Sequence, residues 1–297
     1  MKTKNIICFG EVLWDVFPEG KKISGAPLNA ILRLCALGLQ TTLVSKVGKD
    51  DLGEELLDFV EQSGLKIDHI QQTNQFDTGK VIVTLNDKGS ASYDIAQPAA
   101  WDKIAVRPEL LEAVRKCDLF LFGSLATRDK VTKQTLFQLL TIASFKVFDV
   151  NLRPPHYTYD LLDDLMKAAN FIKFNDEELT EISQEMGCAS SQVENQIKHI
   201  AKHSNTHNIC VTRGSEGALL YLAGTFYTQK GFPIEVADTV GAGDSFLGTL
   251  LEGILTKRRP EESLECACAM GALVASKQGA NPKITEKELI DFIQNSA

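Results

Sequence analysis

The chain is short of several things that would otherwise guide a reading. None of its 297 residues belongs to a run approaching the roughly 20 apolar residues that a membrane-crossing helix needs. The first ten residues hold only Ile6-Ile7-Cys8-Phe9, too brief a run for the core of a secretion signal. Basic residues are in deficit, with 31 Lys and Arg against 39 Asp and Glu and a net charge of -8. A surface of that sign repels phosphodiester backbones and anionic lipids, so neither a nucleic acid nor a membrane is an expected partner. Cysteine is sparse in pattern: seven residues, an odd number scattered along the chain, form neither a disulfide framework nor paired zinc ligands, and this favours a reducing, cytoplasmic setting. Internal repeats, low-complexity tracts and linkers are missing as well. With 44% hydrophobic and 24% charged residues, the expectation is one domain spanning residues 1–297 around a large core.

Two nucleotide-binding motifs are also absent. No Gly-x-x-x-x-Gly-Lys-Ser/Thr sequence occurs, and Gly241-Ala-Gly243 does not grow into Gly-x-Gly-x-x-Gly because Phe246 stands at the last position. Walker-type and Rossmann dinucleotide sites are thereby excluded.

What is present is an alternation of short apolar runs with helical patterns. Segments 5–9, 41–47, 118–122, 146–150, 171–174 and 208–212 read as buried strands. Segments 54–63, 129–144, 160–169 and 177–186 read as helices, the first and last closed by Gly64 and Gly187 in the manner of left-handed caps. The alternation implies a mostly parallel sheet covered by helices on both faces. Segments 11–23 and 79–96 break the rhythm, the second around the turn-forming Asn86-Asp87-Lys88-Gly89. They read as a small β flap over the carboxyl edge of the sheet, where ligands of open α/β folds bind.

The richest segment is Asp238-Thr-Val-Gly-Ala-Gly-Asp-Ser-Phe246. A glycine turn at the start of an apolar helix presents backbone N–H groups to an anion. With a carboxylate beside it, the turn suits phosphoryl transfer: the amides of Gly241, Ala242 and Gly243 neutralise charge on the phosphate and Asp244 takes the proton from an attacking hydroxyl. Read alone, Asp244 is by default an aspartate that caps the helix running through Phe246 to Ile254.

This nonapeptide resembles the carboxyl-terminal signature of the ribokinase-like (PfkB) sugar kinases. Gly10-Glu11 with Asp15, then Gly25-Ala-Pro-Leu-Asn29, is similar to the sugar-binding segment of that family and of its bacterial fructokinase branch in particular. Asp149-Val-Asn-Leu-Arg-Pro154, Asn175-Asp-Glu-Glu178 and Thr212-Arg-Gly-Ser-Glu-Gly217 extend the likeness over the whole chain, and Ser24 departs from it where the family commonly has a glycine. The resemblance implies a ribokinase-like three-layer sandwich with a small β lid, and an ATP-dependent sugar kinase making D-fructose 6-phosphate from D-fructose. Ribose or 2-keto-3-deoxygluconate remains as an alternative acceptor, and a non-catalytic sugar or nucleotide sensor as a different class.

Carried onto this chain, the resemblance gives Asp244 the role of base and Gly241, Ala242 and Gly243 that of phosphate cradle. Asp15, Gly25, Asn29 and Arg153 bind the sugar, although Asp15 and Arg153 also read as solvated surface residues. Thr212, Gly214 and Gly217 border the nucleotide. Asn175 and Glu178 order Mg²⁺ and phosphate, Glu178 through water, while the same pair reads as a helix start with its cap. Asp238 and Val240, with Gly279 nearby, match a K⁺ site built on backbone carbonyls. Lids of this family pair across a homodimer. Two metal-like patterns fall away: His199, His203 and His207 lie across a helix-breaking Ser204-Asn-Thr206, and Cys266 and Cys268, two apart on a helix, do not face each other.

Overall fold

In the computed structural model, residues 4–85 and 91–296 are described. Thirteen strands and ten helices are found among them. The strands are β1 (Asn5–Phe9), β2 (Leu13–Phe17), β3 (Gly20–Ser24), β4 (Gln40–Gly48), β5 (Ile70–Thr73), β6 (Gly79–Leu85), β7 (Ala91–Ile95), β8 (Leu119–Gly123), β9 (Lys146–Asp149), β10 (Phe171–Asn175), β11 (Asn208–Thr212), β12 (Ala218–Leu222) and β13 (Thr225–Gln229). The helices are α1 (Ala26–Ala36), α2 (Asp51–Gln62), α3 (Pro108–Lys116), α4 (Lys130–Leu140), α5 (Tyr159–Ala168), α6 (Asp176–Glu185), α7 (Val193–Ser204), α8 (Ala242–Leu255), α9 (Pro260–Ala275) and α10 (Glu286–Asn295).

Continuous apolar runs make strands that are buried on both faces. In β1, Ile7 and Phe9 point into one core with Phe120, Phe122 and Phe148, while Ile6 and Cys8 point into the other with Leu43, Leu121 and Val147. Helices α3 to α7 close the first core, and α1, α2, α8 and α9 close the second. Each fully buried Phe or Leu contributes roughly 1.5–3 kcal/mol relative to exposure, so this double core carries the stability of the molecule.

The large sheet has the order β13-β12-β11-β10-β9-β8-β1-β4-β5. All pairs from β11 to β5 are parallel, whereas β12 and β13 run antiparallel at one edge. That edge hairpin is absent from the strands expected from sequence. Its turn is Ala223-Gly224, both at positive φ, in place of the Asn-Gly or Asp-Gly that marks such turns. Helix α4 stops at Leu140, four residues short of its apolar pattern. The Thr141 hydroxyl takes the Gln138 carbonyl at 2.7 Å and the next amide turns back to Leu139, tightening the last turn.

Strands β2, β3, β6 and β7 form a second sheet in the order β3-β2-β6-β7, two antiparallel hairpins joined by the parallel pair β2 and β6. They occupy the two segments read as a flap; the expected Asn86-to-Gly89 turn lies outside the described residues. Asp50 ties this small sheet to the body, capping α2 through Gly53 N–H while also accepting from the Thr78 N–H and hydroxyl. The Trp14 indole N–H donates to the Leu52 carbonyl at 3.0 Å.

Candidate active site

Parallel strands that all end at one edge bring their last residues together. Glu11 follows β1, Asp149 ends β9, Asn175 ends β10 and Thr212 ends β11. The small sheet supplies Asp15, Gly25 caps α1, and Asn29 is the fourth residue of that helix.

Two glycines set the local geometry. Gly25 sits at φ 127°, where a Cβ would lie 2.6 Å from the Glu11 carbonyl oxygen. Gly241 caps α8 at φ 76°, and a Cβ there would lie 2.3 Å from the Ala280 carbonyl. Positive φ and close backbone approach together admit only glycine at each. Beyond Gly241, the amides of Gly243 and Asp244 lie in the first turn of α8, whose N–H groups have no intrahelical acceptor.

Asp244 does not cap its helix. Its Oδ2 accepts from Asn29 Nδ2 at 2.8 Å, and Asn281 Nδ2 in turn donates to Asn29 Oδ1 at 2.7 Å. The carboxylate is therefore aimed by one oxygen while the other remains for chemistry. Protein atoms crowd close around Asp244 although part of it opens to the cleft. This desolvation, with Asp149 adding to it, lifts its pKa to about 6 against the opposing pull of Asn29, Lys173 and Arg153.

Close to the Gly241-Ala-Gly243 turn lies a cation that reading the sequence missed. Lys173 is 7% exposed, its ammonium 3.1 Å from Asp149 Oδ1 and 3.7 Å from where a Gly243 Cβ would be. Burial works against the charged form, but Asp149, then Glu178 and Asp244, hold this lysine protonated well above its ordinary range. A lysine inside the apolar run Phe171–Phe174 was the available signal, since lysines are almost never buried without a partner.

Asn175 and Glu178 form a capping box at the start of α6, Asn175 Oδ1 accepting from the Glu178 N–H at 2.7 Å and Glu178 Oε2 from the Asn175 N–H at 2.8 Å. Glu178 Oε1 accepts from the Leu152 N–H at 2.9 Å. Burial raises the Glu178 pKa, with Lys173 opposing. Each oxygen takes one N–H and keeps a further lone pair, which fits Mg²⁺ bound mainly by water and phosphate oxygens with a carboxylate behind them. The helix-cap reading is what the geometry shows, and it leaves lone pairs free on both carboxylate oxygens.

Across α8 from Asn29 lies a cavity of about 600 Å³, lined by Thr212, Gly214, Gly217, Phe232, Gly243 and Cys268 among others. That volume suits a small-molecule ligand. Helix α8 thus stands between this cavity, which Gly243 and Phe246 line, and α1, whose Asn29 holds Asp244. Arg153 is exposed, donates to the Leu152 carbonyl at 2.8 Å, and its charge acts on Glu11, Asp15 and Asp244 together. Ser24 hydrogen-bonds Asp15, whose pKa burial nevertheless raises.

The pfkB family carbohydrate kinase model matches residues 2–287. This chain belongs to the pfkB family of carbohydrate kinases. Members similar to it include a fructokinase of Solanum tuberosum, 27% identical over 98% of this chain and 96% of the relative. Among solved structures, a fructokinase with bound ATP from Xylella fastidiosa is 22% identical, covers 99% of both chains and superposes with a TM-score of 0.86. A fructokinase double mutant from Vibrio cholerae, bound to fructose, ADP and potassium ion, is 20% identical over 98% of both chains with a TM-score of 0.84. These likenesses establish the ribokinase-like α/β fold.

Some candidate ligands take other positions in this pfkB-family kinase. The Asp238 carboxylate accepts from the Val240 N–H at 3.0 Å and the Gly279 N–H at 3.1 Å, and the lid's Lys22 ammonium stands 3.8 Å away. With its side chain spent in this way, K⁺ at Asp238 and Val240 would rest on backbone carbonyls. His199 bonds the Met186 carbonyl and His203 bonds Asp163, while His207 lies beyond the end of α7. No group of three metal-ligating side chains occurs among the described residues, nor is any of their helices long and apolar enough to cross a membrane.

Proposed function

We propose that this carbohydrate kinase transfers the γ-phosphoryl group of ATP to the primary 6-hydroxyl of D-fructose, giving D-fructose 6-phosphate and ADP. The single observation that carries the reading is Asp244, held by Asn29 in the first turn of α8 directly beside the open amides of Gly243 and Asp244 and above the buried ammonium of Lys173. Base, anion cradle and counter-charge fall within one short reach.

In this scheme the sugar lies against Asp15, Gly25 and Asn29 with Arg153 at the rim, and ATP lies along the cavity bordered by Thr212, Gly214 and Gly217. The free oxygen of Asp244 takes the proton of the 6-hydroxyl as its oxygen bonds to the γ-phosphorus and the bond to the bridging β–γ oxygen breaks. Charge on the transferred group meets the Gly241-Ala-Gly243 turn and Lys173, donors fixed before the reaction begins. Mg²⁺, ordered from the Asn175 and Glu178 side, supplies charge neutralisation between the phosphates. Lid strands β2, β3, β6 and β7 keep water from the acceptor side.

Fructose as the acceptor is supported by the fructokinase relatives and by the fructose in the Vibrio cholerae structure. The deciding experiment is ADP release with Mg²⁺-ATP over fructose, ribose, 2-keto-3-deoxygluconate and glucose, compared by kcat/KM. A preference for fructose of at least about tenfold is the expected result. Preference for another sugar removes the fructose assignment, and no turnover with any removes the kinase mechanism.

A further inference from the structure

Three segments far apart in sequence meet behind the proposed base. Asn29 is on α1, Asp244 is in the first turn of α8, and Asn281 lies between α9 and α10. Asn281 Nδ2 donates to Asn29 Oδ1 at 2.7 Å and Asn29 Nδ2 donates to Asp244 Oδ2 at 2.8 Å, so the three side chains form one directed chain of hydrogen bonds. A carboxamide has nearly the same shape either way round, so packing alone does not choose which end of Asn29 faces Asp244. Reversed, Asn29 would set its oxygen against the carboxylate and its amino group against that of Asn281. Asn29 is 2% exposed, so water does not compensate at either end. The segment that bears Asn281 is itself held in place. The Gly279 N–H donates to Asp238 Oδ2 at 3.1 Å, Ala280 packs against Gly241, and the Pro282 carbonyl accepts from Arg33 Nη2 at 3.1 Å. Arg33, buried on α1, also donates through Nε to the hydroxyl of Ser245, the residue after Asp244, at 3.4 Å.

We propose that Asn281 is a positioning residue for the base: by donating to Asn29 Oδ1 it fixes the end of the Asn29 amide that faces Asp244, and so aims the carboxylate at the acceptor hydroxyl. The inference rests on the kinase reading of Asp244. With Asn281 in place both ends of the Asn29 amide are satisfied only in the aimed orientation; without it, Asn29 Oδ1 is left buried and unpaired, and the orientation that serves Asp244 loses its advantage. The donated hydrogen bond favours the ionised carboxylate, so its loss moves the Asp244 pKa above about 6. Asp149, Lys173 and Arg153 also act on Asp244, as does the Glu11 carboxyl, while Arg33 and Asp238 stand on the neighbouring α1 and turn. A change at Asn281 alters none of these groups.

The test follows kcat and kcat/KM against pH, with the best sugar, for wild type, Asn281→Ala, Asp244→Asn and the double variant. Asn281→Ala is expected to lower kcat by about 5- to 30-fold with the ATP KM unchanged, and to move the acid limb of kcat/KM upward by about half to one pH unit. The two losses should not add: the double variant matches Asp244→Asn within about twofold, because Asn281 acts only through the base. An unmoved acid limb, or the full loss repeated in the Asp244→Asn background, overturns the proposal, since a structural role of Asn281 does not depend on which residue stands at position 244. Should Asn281→Ala not fold, Asn281→Asp, which keeps the size and cannot donate once ionised, is read by the same four-way comparison with the same expected and overturning results. Wild type inactive with every sugar defeats the kinase reading and this role with it, an outcome visible before any variant is compared.

Discussion

At the scale of single residues, the site is a balance of buried charge. Asp149, Glu178 and Asp244 surround one buried cation, Lys173, with Arg153 at the rim. Asp244→Asn preserves shape and the acceptor for Asn29 while removing the base. Turnover should fall by about 10²- to 10⁴-fold with sugar affinity by calorimetry nearly unchanged; retained turnover would remove Asp244 from that role. In wild type, kcat/KM should drop as pH falls through about 6, where Asp244 gains its proton. The same value predicts the stability of the variant. The folded-state pKa lies above the ~4 of an unfolded aspartate, so the folded protein holds this proton more tightly. The carboxyl is harmless below about pH 4 and destabilises the fold increasingly as pH rises through about 6. Asp244→Asn should therefore be more stable than wild type at pH 8, by on the order of 1–3 kcal/mol in denaturant unfolding, and show little difference at pH 3.5. Residues in contiguous signatures, such as Asp244, Asn29 and Glu178, are legible in the sequence. Lys173 and Asn281 are not, because partners 24 or more residues away decide them: Asp149 for Lys173 and Asn29 for Asn281.

At the scale of elements, α8 does most of the positioning. Its first turn offers amides, its third residue is the proposed base, and its flank walls the cavity lined by Thr212 and Gly217. Gly241→Ala forces a Cβ against the Ala280 carbonyl in a backbone region that L-residues rarely enter. A stability loss of about 1–3 kcal/mol by denaturant titration is expected, with kcat reduced more than the sugar KM is raised, since the turn acts on the transferred group. Unchanged kcat would count against the cradle. The parallel strands were legible because a strand covered on both faces is apolar at every position, as in Asn5–Phe9. The β12–β13 hairpin was not, since its turn residues are atypical and Tyr221, Leu222, Phe226 and Tyr227 are only half-covered at the sheet's edge. Helix ends slipped where side chains compete for carbonyls, as Thr141 does at the end of α4.

At the scale of the whole molecule, a broad double-cored body carries a small sheet held at its margin. Asp50 and Trp14 anchor that sheet to α2, and its outer contacts are surface ion pairs, Lys21 with Glu55 and Lys22 with Asp238. Such exposed pairs are worth at most about 1 kcal/mol each, so the body stays folded whether or not the lid is seated. Fructose together with a non-hydrolysable ATP analogue should slow amide exchange in β2, β3 and β6 more than in β8 or β9, whose exchange is limited by global opening. Uniform slowing across both sheets would argue that the lid moves only with the body. The parallel pair β2 and β6 has a consequence of its own. The small sheet is two hairpins, 13–24 and 79–95, stitched together by one pair of strands, while Asn29 belongs to α1 and the proposed base Asp244 to α8, so the sheet can be exchanged without cutting either helix. Exchanging both hairpins together keeps their seam matched and replaces Asp15 alone among the proposed sugar contacts; exchanging one alone leaves the seam with nothing to match.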